Sequence, residues 1–280
     1  MKFNQHLNRR QFIRSAGQSL LGAAAAFILP SLHVRGIPVD VQDSSPGRNI
    51  STNPLPTPTP LPLASPPVTT PAEIEFLANH ELIRGDTNRK TAMLTYDDAR
   101  SNEGLSHLLD VFRENGVKTT IFIIGKDLES CKETLPRIIQ EGHDLGCHGW
   151  SHDSPMTSLS DAALDLQFGQ YLHKVNEIVP GYRMRFFRAP FGDRNPRVRI
   201  AAARWGLQHV LWSLESGGQD KQTYHNVVDR IQPGEIVLSH ETRYFDVNDA
   251  DVIVRELIRK GYTLESLSMG MSPADRWNPA

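Results

Sequence analysis

Asp97 and Asp98 stand side by side at the end of the apolar run Thr91 to Tyr96. Two carboxylates at the mouth of a buried strand are costly to desolvate unless a metal ion, an arginine or catalytic work compensates them. Compensating groups follow downstream. His148-Gly149-Trp150-Ser151-His152 supplies imidazoles at i and i+4, Arg188 precedes the turn Pro190-Phe191-Gly192, and His240 follows the apolar segment Ile236 to Leu238. These are the parts of a metal-assisted hydrolase.

Each part has a chemical reason. Histidines four apart can face one centre from a helical turn or a curved loop, and one added carboxylate completes a facial triad that leaves positions open for water and substrate. Neighbouring side chains on a strand point to opposite faces, so one aspartate can bind metal while the other leans toward substrate. The alternative is an aspartate pair that caps the next helix or turn. Arg188 can clamp a catalytic carboxylate through two parallel hydrogen bonds, and the turn behind it can aim an amide at a developing oxyanion. His240 can donate a proton to a leaving amine, or can be a satisfied structural histidine. His107, His143, His173, His209 and His225 sit in settings that read as helical or exposed, with no carboxylate partner evident.

The elements that must position these groups alternate between strand and helix patterns. Strands are expected at 92–96, 117–124, 143–147, 182–187, 207–212, 236–238 and 262–264, and helices at 105–114, 133–141, 161–178, 196–205, 224–231 and 249–260. Ser160 is a plausible cap for the longest helix. Nearly every reactive residue falls at or just past the carboxyl end of a strand, the face that carries catalysis in a β/α barrel.

Composition sets the boundaries. The chain has 280 residues, 39% hydrophobic and 22% charged, with a formal net charge of −2 and no dense basic run, so a nucleic-acid partner is not expected. Residues 1–36 contain Asn8-Arg9-Arg10-Gln11-Phe12-Ile13-Arg14 and a modestly apolar stretch from Leu20 to Leu32, the pattern of a twin-arginine export signal. No small-x-small cleavage site follows Leu32, so the segment could remain as a membrane tether, although it is short for a spanning helix. Residues 37–72 are rich in proline, serine and threonine and read as an extended, disordered linker, 73–268 as the catalytic domain and 269–280 as a tail. Cys131 and Cys147 are the two cysteines, which allows one disulfide and excludes a cysteine-rich zinc site.

Thr95-Tyr96-Asp97-Asp98, His148 to His152, Arg188-Ala189-Pro190-Phe191-Gly192 and Leu238-Ser239-His240 occur in an order and spacing that resemble the polysaccharide deacetylase family, the NodB-homology or carbohydrate esterase family 4 enzymes. The resemblance covers about 73–267. It implies an α/β fold of the distorted (β/α)7-type barrel kind and removal of acetyl groups from N-acetylated sugars with a divalent metal, zinc first and cobalt, nickel or manganese as alternatives. By motif position it implies Asp97 as general base, Asp98, His148 and His152 as metal ligands, Arg188 as the partner of Asp97, and His240 as the acid. Leu238 would line the acetyl pocket, the Phe191 amide would hold the oxyanion, and Pro190 and Trp212 would face substrate.

The chain departs from that pattern in three places. Ala99-Arg100 replaces a glycine after the first motif, so the following turn must avoid a left-handed conformation or bear strain. Phe191 stands where tyrosine is frequent. In Trp212 to Asp220, Gly218 occupies the usual position of the aspartate that tunes the catalytic histidine, which leaves Glu215 or Asp220 as substitutes. The expected protein is an exported bacterial deacetylase, periplasmic, surface-bound or secreted, handled by the export machinery and monomeric. Its substrate would be peptidoglycan or a chitin-like glycan. Rival expectations are a catalytically weak glycan-binding domain and a hydrolase of another ester or amide, such as acetylated xylan.

Overall fold

The computed structural model describes residues 69–277. The expected export signal and almost all of the linker lie outside the described residues. Helix α1 (Pro71–Asn79) starts where the Thr70 hydroxyl accepts the Glu73 amide at 3.1 Å, and proline at its first position suits a turn with no amide to satisfy. Its Leu77 and Ala78 pack on Ala203, with Trp277 from the tail against the same cluster.

The strands are β1 (Thr91–Ala99), β2 (Thr120–Ile123), β3 (Asp144–Cys147), β4 (Phe186–Phe187), β5 (Gln208–His209), β6 (Leu214–Glu215), β7 (Glu235–His240) and β8 (Thr263–Leu264). They form one all-parallel sheet in the order β5-β4-β3-β2-β1-β7-β6, with β8 on the amino end of β1. The segment through Leu82 and Arg84 bridges Val210 beyond β5 to Glu235 at the start of β7. Helices α2 (Asn102–Glu114), α3 (Leu135–Gln140), α4 (Asp161–Ile178), α5 (Pro196–Arg204), α6 (Thr223–Val228), α7 (Tyr244–Asn248), α8 (Ala250–Arg259) and α9 (Leu267–Gly270) complete the described chain. Ser160 caps α4 as expected, accepting the Ala163 amide at 3.2 Å.

Burial on both faces explains why β1 reads as a continuous apolar run instead of an alternating one. Ala92, Leu94 and Tyr96 pack with the buried faces of α2, α6 and α8, while Met93 joins Phe122, Phe186, Val210 and Ile236 on the opposite face. That second face is the interior of the curled sheet. Alternation then carries the same interior line upward along β1 from Met93 to Thr95 and Asp97, so apolar packing at the amino end gives way to polar groups at the carboxyl end.

The strand centres match the sequence expectation better than their lengths. The segments at 182–187 and 207–212 narrow to two strand residues each, Phe186–Phe187 and Gln208–His209, with Val210 joined only by an isolated bridge to Leu82. The short β6 and the helices α1, α7 and α9 were not expected. Cys131 and Cys147 are both free and buried, and burial pushes the Cys131 thiol up to about 12.

Candidate active site

The parallel register pairs Asp97 of β1 with His240 of β7, so the candidate base and acid end adjacent strands. The ladder between β1 and β2 breaks between Tyr96 and Ala99, and within that break Asp98 takes a left-handed conformation with φ 59°. A non-glycine residue in that region is strained, and aspartate tolerates it better than most. The strain expected after the first motif therefore falls on Asp98 itself. Ala99 is buried and back in register with Ile123, so no glycine is needed there.

The bulge brings Asp98 toward two imidazoles. Its Oδ1 lies 3.4 Å from His148 Nε2 and 3.6 Å from His152 Nε2, and these three ligand atoms fall within 4.8 Å of one another. His148 and His152 come from a loop, not a helix. Gly149 turns that loop with φ 73°, and Gln167 of α4 holds it by accepting the Trp150 amide at 2.7 Å and the Ser151 amide at 3.0 Å. The His148 Nδ1–H donates to the Arg188 carbonyl at 2.8 Å, which fixes the tautomer and aims Nε2 at Asp98. Asp98 Oδ1 is buried without a hydrogen-bond partner. An orphaned carboxylate oxygen near two Nε2 atoms, that of His148 fixed by its Nδ1 bond, fits a divalent cation with open positions for other ligands. Burial alone would raise Asp98, but His148 and His152 outweigh it and hold the carboxyl at about 2.

Arg188 is fully buried, with its guanidinium 4.3 Å over the Phe122 ring. Nη1 donates to Asp97 Oδ1 at 2.7 Å and to Thr95 Oγ1 at 2.7 Å, and Nη2 donates to the Leu211 carbonyl at 2.9 Å. The clamp expected to be a parallel two-bond fork is thus a single contact to Asp97, because Nη1 is shared with Thr95, Nη2 turns to the Leu211 carbonyl and Nε has no partner. It leaves Asp97 Oδ2, 3.9 Å from His148 Nε2, free of the arginine. Thr95 was missed in the sequence; its alternation with Asp97 along β1 was the available signal.

The turn Pro190–Gly192 sits beside the metal-type group. Phe191 is left-handed at φ 60° and two-thirds exposed, and its ring meets the edge of His152 at 4.2 Å between centroids. Trp212 packs beneath the turn, since a Cβ on Gly192 would lie 2.9 Å from Trp212 Cη2. Pro190 and Leu238 are buried, Leu238 two residues before His240 on the same face of β7.

The acid side differs most from expectation. Glu215 is exposed and 4.0 Å from Arg243, and Asp220 is exposed and accepts the Gln222 amide at 2.8 Å. Neither comes within ion-pair distance of His240. Among the described residues the carboxylate that does is Asp246 of α7, 4.0 Å from His240 Nδ1. Burial lowers His240 to about 4, with Asp97 opposing and Arg243 adding to the fall. Of the histidines set apart in the sequence, His209 is buried with Nδ1 2.9 Å from Glu81 Oε1, and His225 pairs with Asp229 at 2.8 Å. His209 is therefore neither helical nor exposed, whereas His225 is helical and exposed as expected and departs only in having a carboxylate partner; neither joins the site.

The polysaccharide deacetylase family model matches residues 84–210, which include Asp97, Asp98, His148, His152 and Arg188. Over residues 84–210 the chain is similar to the polysaccharide deacetylase family. The polysaccharide deacetylases named among its relatives are hydrolases of amide carbon–nitrogen bonds. Peptidoglycan-N-acetylmuramic acid deacetylase PdaC of Bacillus subtilis is 27% identical over 187 residues, 65% of this chain and 39% of that protein. A peptidoglycan-N-acetylglucosamine deacetylase of Bacillus cereus is 28% identical over 188 residues, 63% of this chain and 66% of that protein. The crystal structure of PdaC from Bacillus subtilis superposes with a TM-score of 0.60 at 28% identity, over 66% of this chain and 91% of that chain. A family pseudoenzyme from Bacillus anthracis shares the fold at 22% identity and a TM-score of 0.63, over 69% of each chain. The fold alone therefore does not decide activity, and the side chains must.

Proposed function

We propose that this chain is an exported, divalent-metal-dependent deacetylase of an N-acetylated cell-envelope glycan, peptidoglycan first and chitin-like oligosaccharides second. The observation that carries the reading is the convergence of Asp97, held by buried Arg188, with Asp98, His148 and His152 at the carboxyl end of β1. The peptidoglycan substrates of the relatives and the export-type amino terminus support the choice of glycan.

A divalent cation held by Asp98, His148 and His152 would supply Lewis acidity toward the acetyl carbonyl and a lowered pKa for attacking water. Asp97 accepts the water proton on Oδ2, the oxygen left free by Arg188, while Arg188 holds the carboxylate in place. The Phe191 amide faces the oxyanion, and the left-handed turn sets its direction. Leu238, Pro190 and Trp212 bound the acetyl side of the pocket and exclude water from it. His240 Nε2 delivers a proton to the departing amine as the carbon–nitrogen bond breaks, giving acetate and a free amino sugar.

The test is acetate release by the purified chain from peptidoglycan, chitin oligomers and acetylated xylan, after metal removal and after zinc is restored. Release from the N-acetylated glycans only with metal is expected. No release from any of them, or release from xylan alone, refutes the reading.

A further inference from the structure

We propose that Asp246 is the positioning carboxylate of His240, supplied by α7 in place of the side chain that Gly218 lacks. The inference rests on the reading of His240 as the acid. Asp246 is 2% exposed, and its Oδ2 accepts the His240 backbone amide at 2.8 Å while its Oδ1 accepts the Ser216 hydroxyl at 2.6 Å. The same Oδ2 is the nearest carboxylate oxygen to His240 Nδ1, at 4.0 Å, and that nitrogen is buried with no hydrogen-bond partner. An unpartnered ring nitrogen beside a carboxylate that is anchored once to the His240 backbone amide and once to the Ser216 hydroxyl defines which way the ring must face: Nδ1 inward to Asp246, Nε2 outward to the pocket.

Gly218 makes the arrangement possible. A Cβ at 218 would lie 2.2 Å from Asp246 Oδ2 and 2.7 Å from Arg243 Cδ, so the Asp246 carboxylate fills the volume that any side chain at 218 would need. A carboxylate from the 218 loop and one from α7 therefore exclude each other, and this chain has the second. Gly218 is left-handed at φ 60°, a conformation that aspartate also tolerates. Arg243, which donates to the Gly217 carbonyl at 2.9 Å, joins the 218 loop to the start of α7 and keeps the two segments in contact. Asp97, Arg243, Asp98 and His148 are the other titratable or charged groups acting on the His240 ring.

A purely structural role predicts different behaviour from a positioning one. Asparagine at 246 keeps an acceptor for the His240 amide and a polar partner for Ser216 but loses the charge that faces Nδ1. The experiment measures kcat and KM on an N-acetylated chitin oligomer, bound metal and Tm for wild type, Asp246→Asn, Asp246→Ala, Gly218→Asp and the double variant Asp246→Ala/Gly218→Asp. Asp246→Asn should lower kcat about 10- to 100-fold, with KM within about twofold and metal content unchanged. Gly218→Asp alone should lower Tm and kcat, whereas in the Asp246→Ala background it should raise kcat about tenfold above that of Asp246→Ala, a sign reversal that only a shared volume and a shared task produce. A wild-type kcat in Asp246→Asn overturns the inference, as does a double variant no faster than Asp246→Ala. Absence of acetate release from wild type, or full activity in His240→Ala, instead sinks the functional reading on which it rests.

Discussion

The two halves of the site are built by different means. On the base and metal side, Asp97, Asp98, His148 and His152 come from two short strings, each at a strand end, and their partners Thr95 and Arg188 lie in the first of those strings and in a third motif that follows β4. On the acid side, His240 ends β7 but its carboxylate arrives from α7, six residues further along, through a gap left by Gly218. Strand ends fix direction rigidly, so a motif there maps almost directly onto a site. Loops and short helices settle by competing for volume, so the residue doing a given job can change place while the job persists.

The largest expected break between the halves is Asp97→Asn. It should lower kcat by about 1,000-fold while bound metal, read by elemental analysis, stays unchanged. Retention of full rate would remove the base from this half altogether. His152→Ala acts on the same half but through the ligand set, so zinc affinity should fall about 100-fold and part of the activity should return at high zinc. A loss of activity with metal affinity intact would place His152 outside the ligand set.

His143 offers a control for His240, because burial lowers both to about 4. His143 precedes the amino end of β3, the end opposite His148, and its Nδ1 accepts the Thr119 amide at 3.1 Å, a bond that protonation would break. Its folded pKa is below the ordinary 6.5, so the stability it contributes is complete above pH 6.5 and is lost as pH falls toward 4. The shift corresponds to about 3 kcal/mol. His143→Asn, which keeps an acceptor for Thr119, should flatten the dependence of urea-unfolding stability between pH 6.5 and 4 and leave kcat at pH 7 unchanged. An unchanged slope would show that His143 does not carry it.

Smaller effects sharpen the comparison further. Phe191→Gly should relieve the left-handed φ of 60° and raise stability by about 1 kcal/mol, read as Tm, while removing the ring edge from His152. A lower Tm would mean that the ring contact outweighs the strain. Glu215→Gln with Asp220→Asn should change kcat by less than about twofold, as exposed substitutions usually do. A tenfold loss would return one of them to the acid side in place of Asp246.

Sequence reading reached the α/β order, the strand ends and the three residues whose ligand atoms the fold brings together, because burial leaves apolar runs and each reactive group is adjacent to one. It placed the centres of most expected strands, including the register-critical β1 and β7, but overran β5 and caught β4 only at the end of the expected 182–187, where pairing and not apolar content sets the ends. The family model likewise covers 84–210 and stops short of Trp212, Gly218 and His240. Gln167 and Asp246 carried no local signal, since each acts on a backbone segment distant from its own surroundings.

By itself, then, the sequence determined which residues could ligate, which could exchange protons and which strands present them, because those properties depend on residue type and short-range periodicity. The tertiary structure decided the rest: that Arg188 gives Asp97 one bond and spends its others on Thr95 and Leu211, that the strain sits on Asp98, and that Asp246 stands behind His240. Those outcomes depend on which distant groups compete for one donor or one volume, and only packing of the whole sheet with its helices settles that competition.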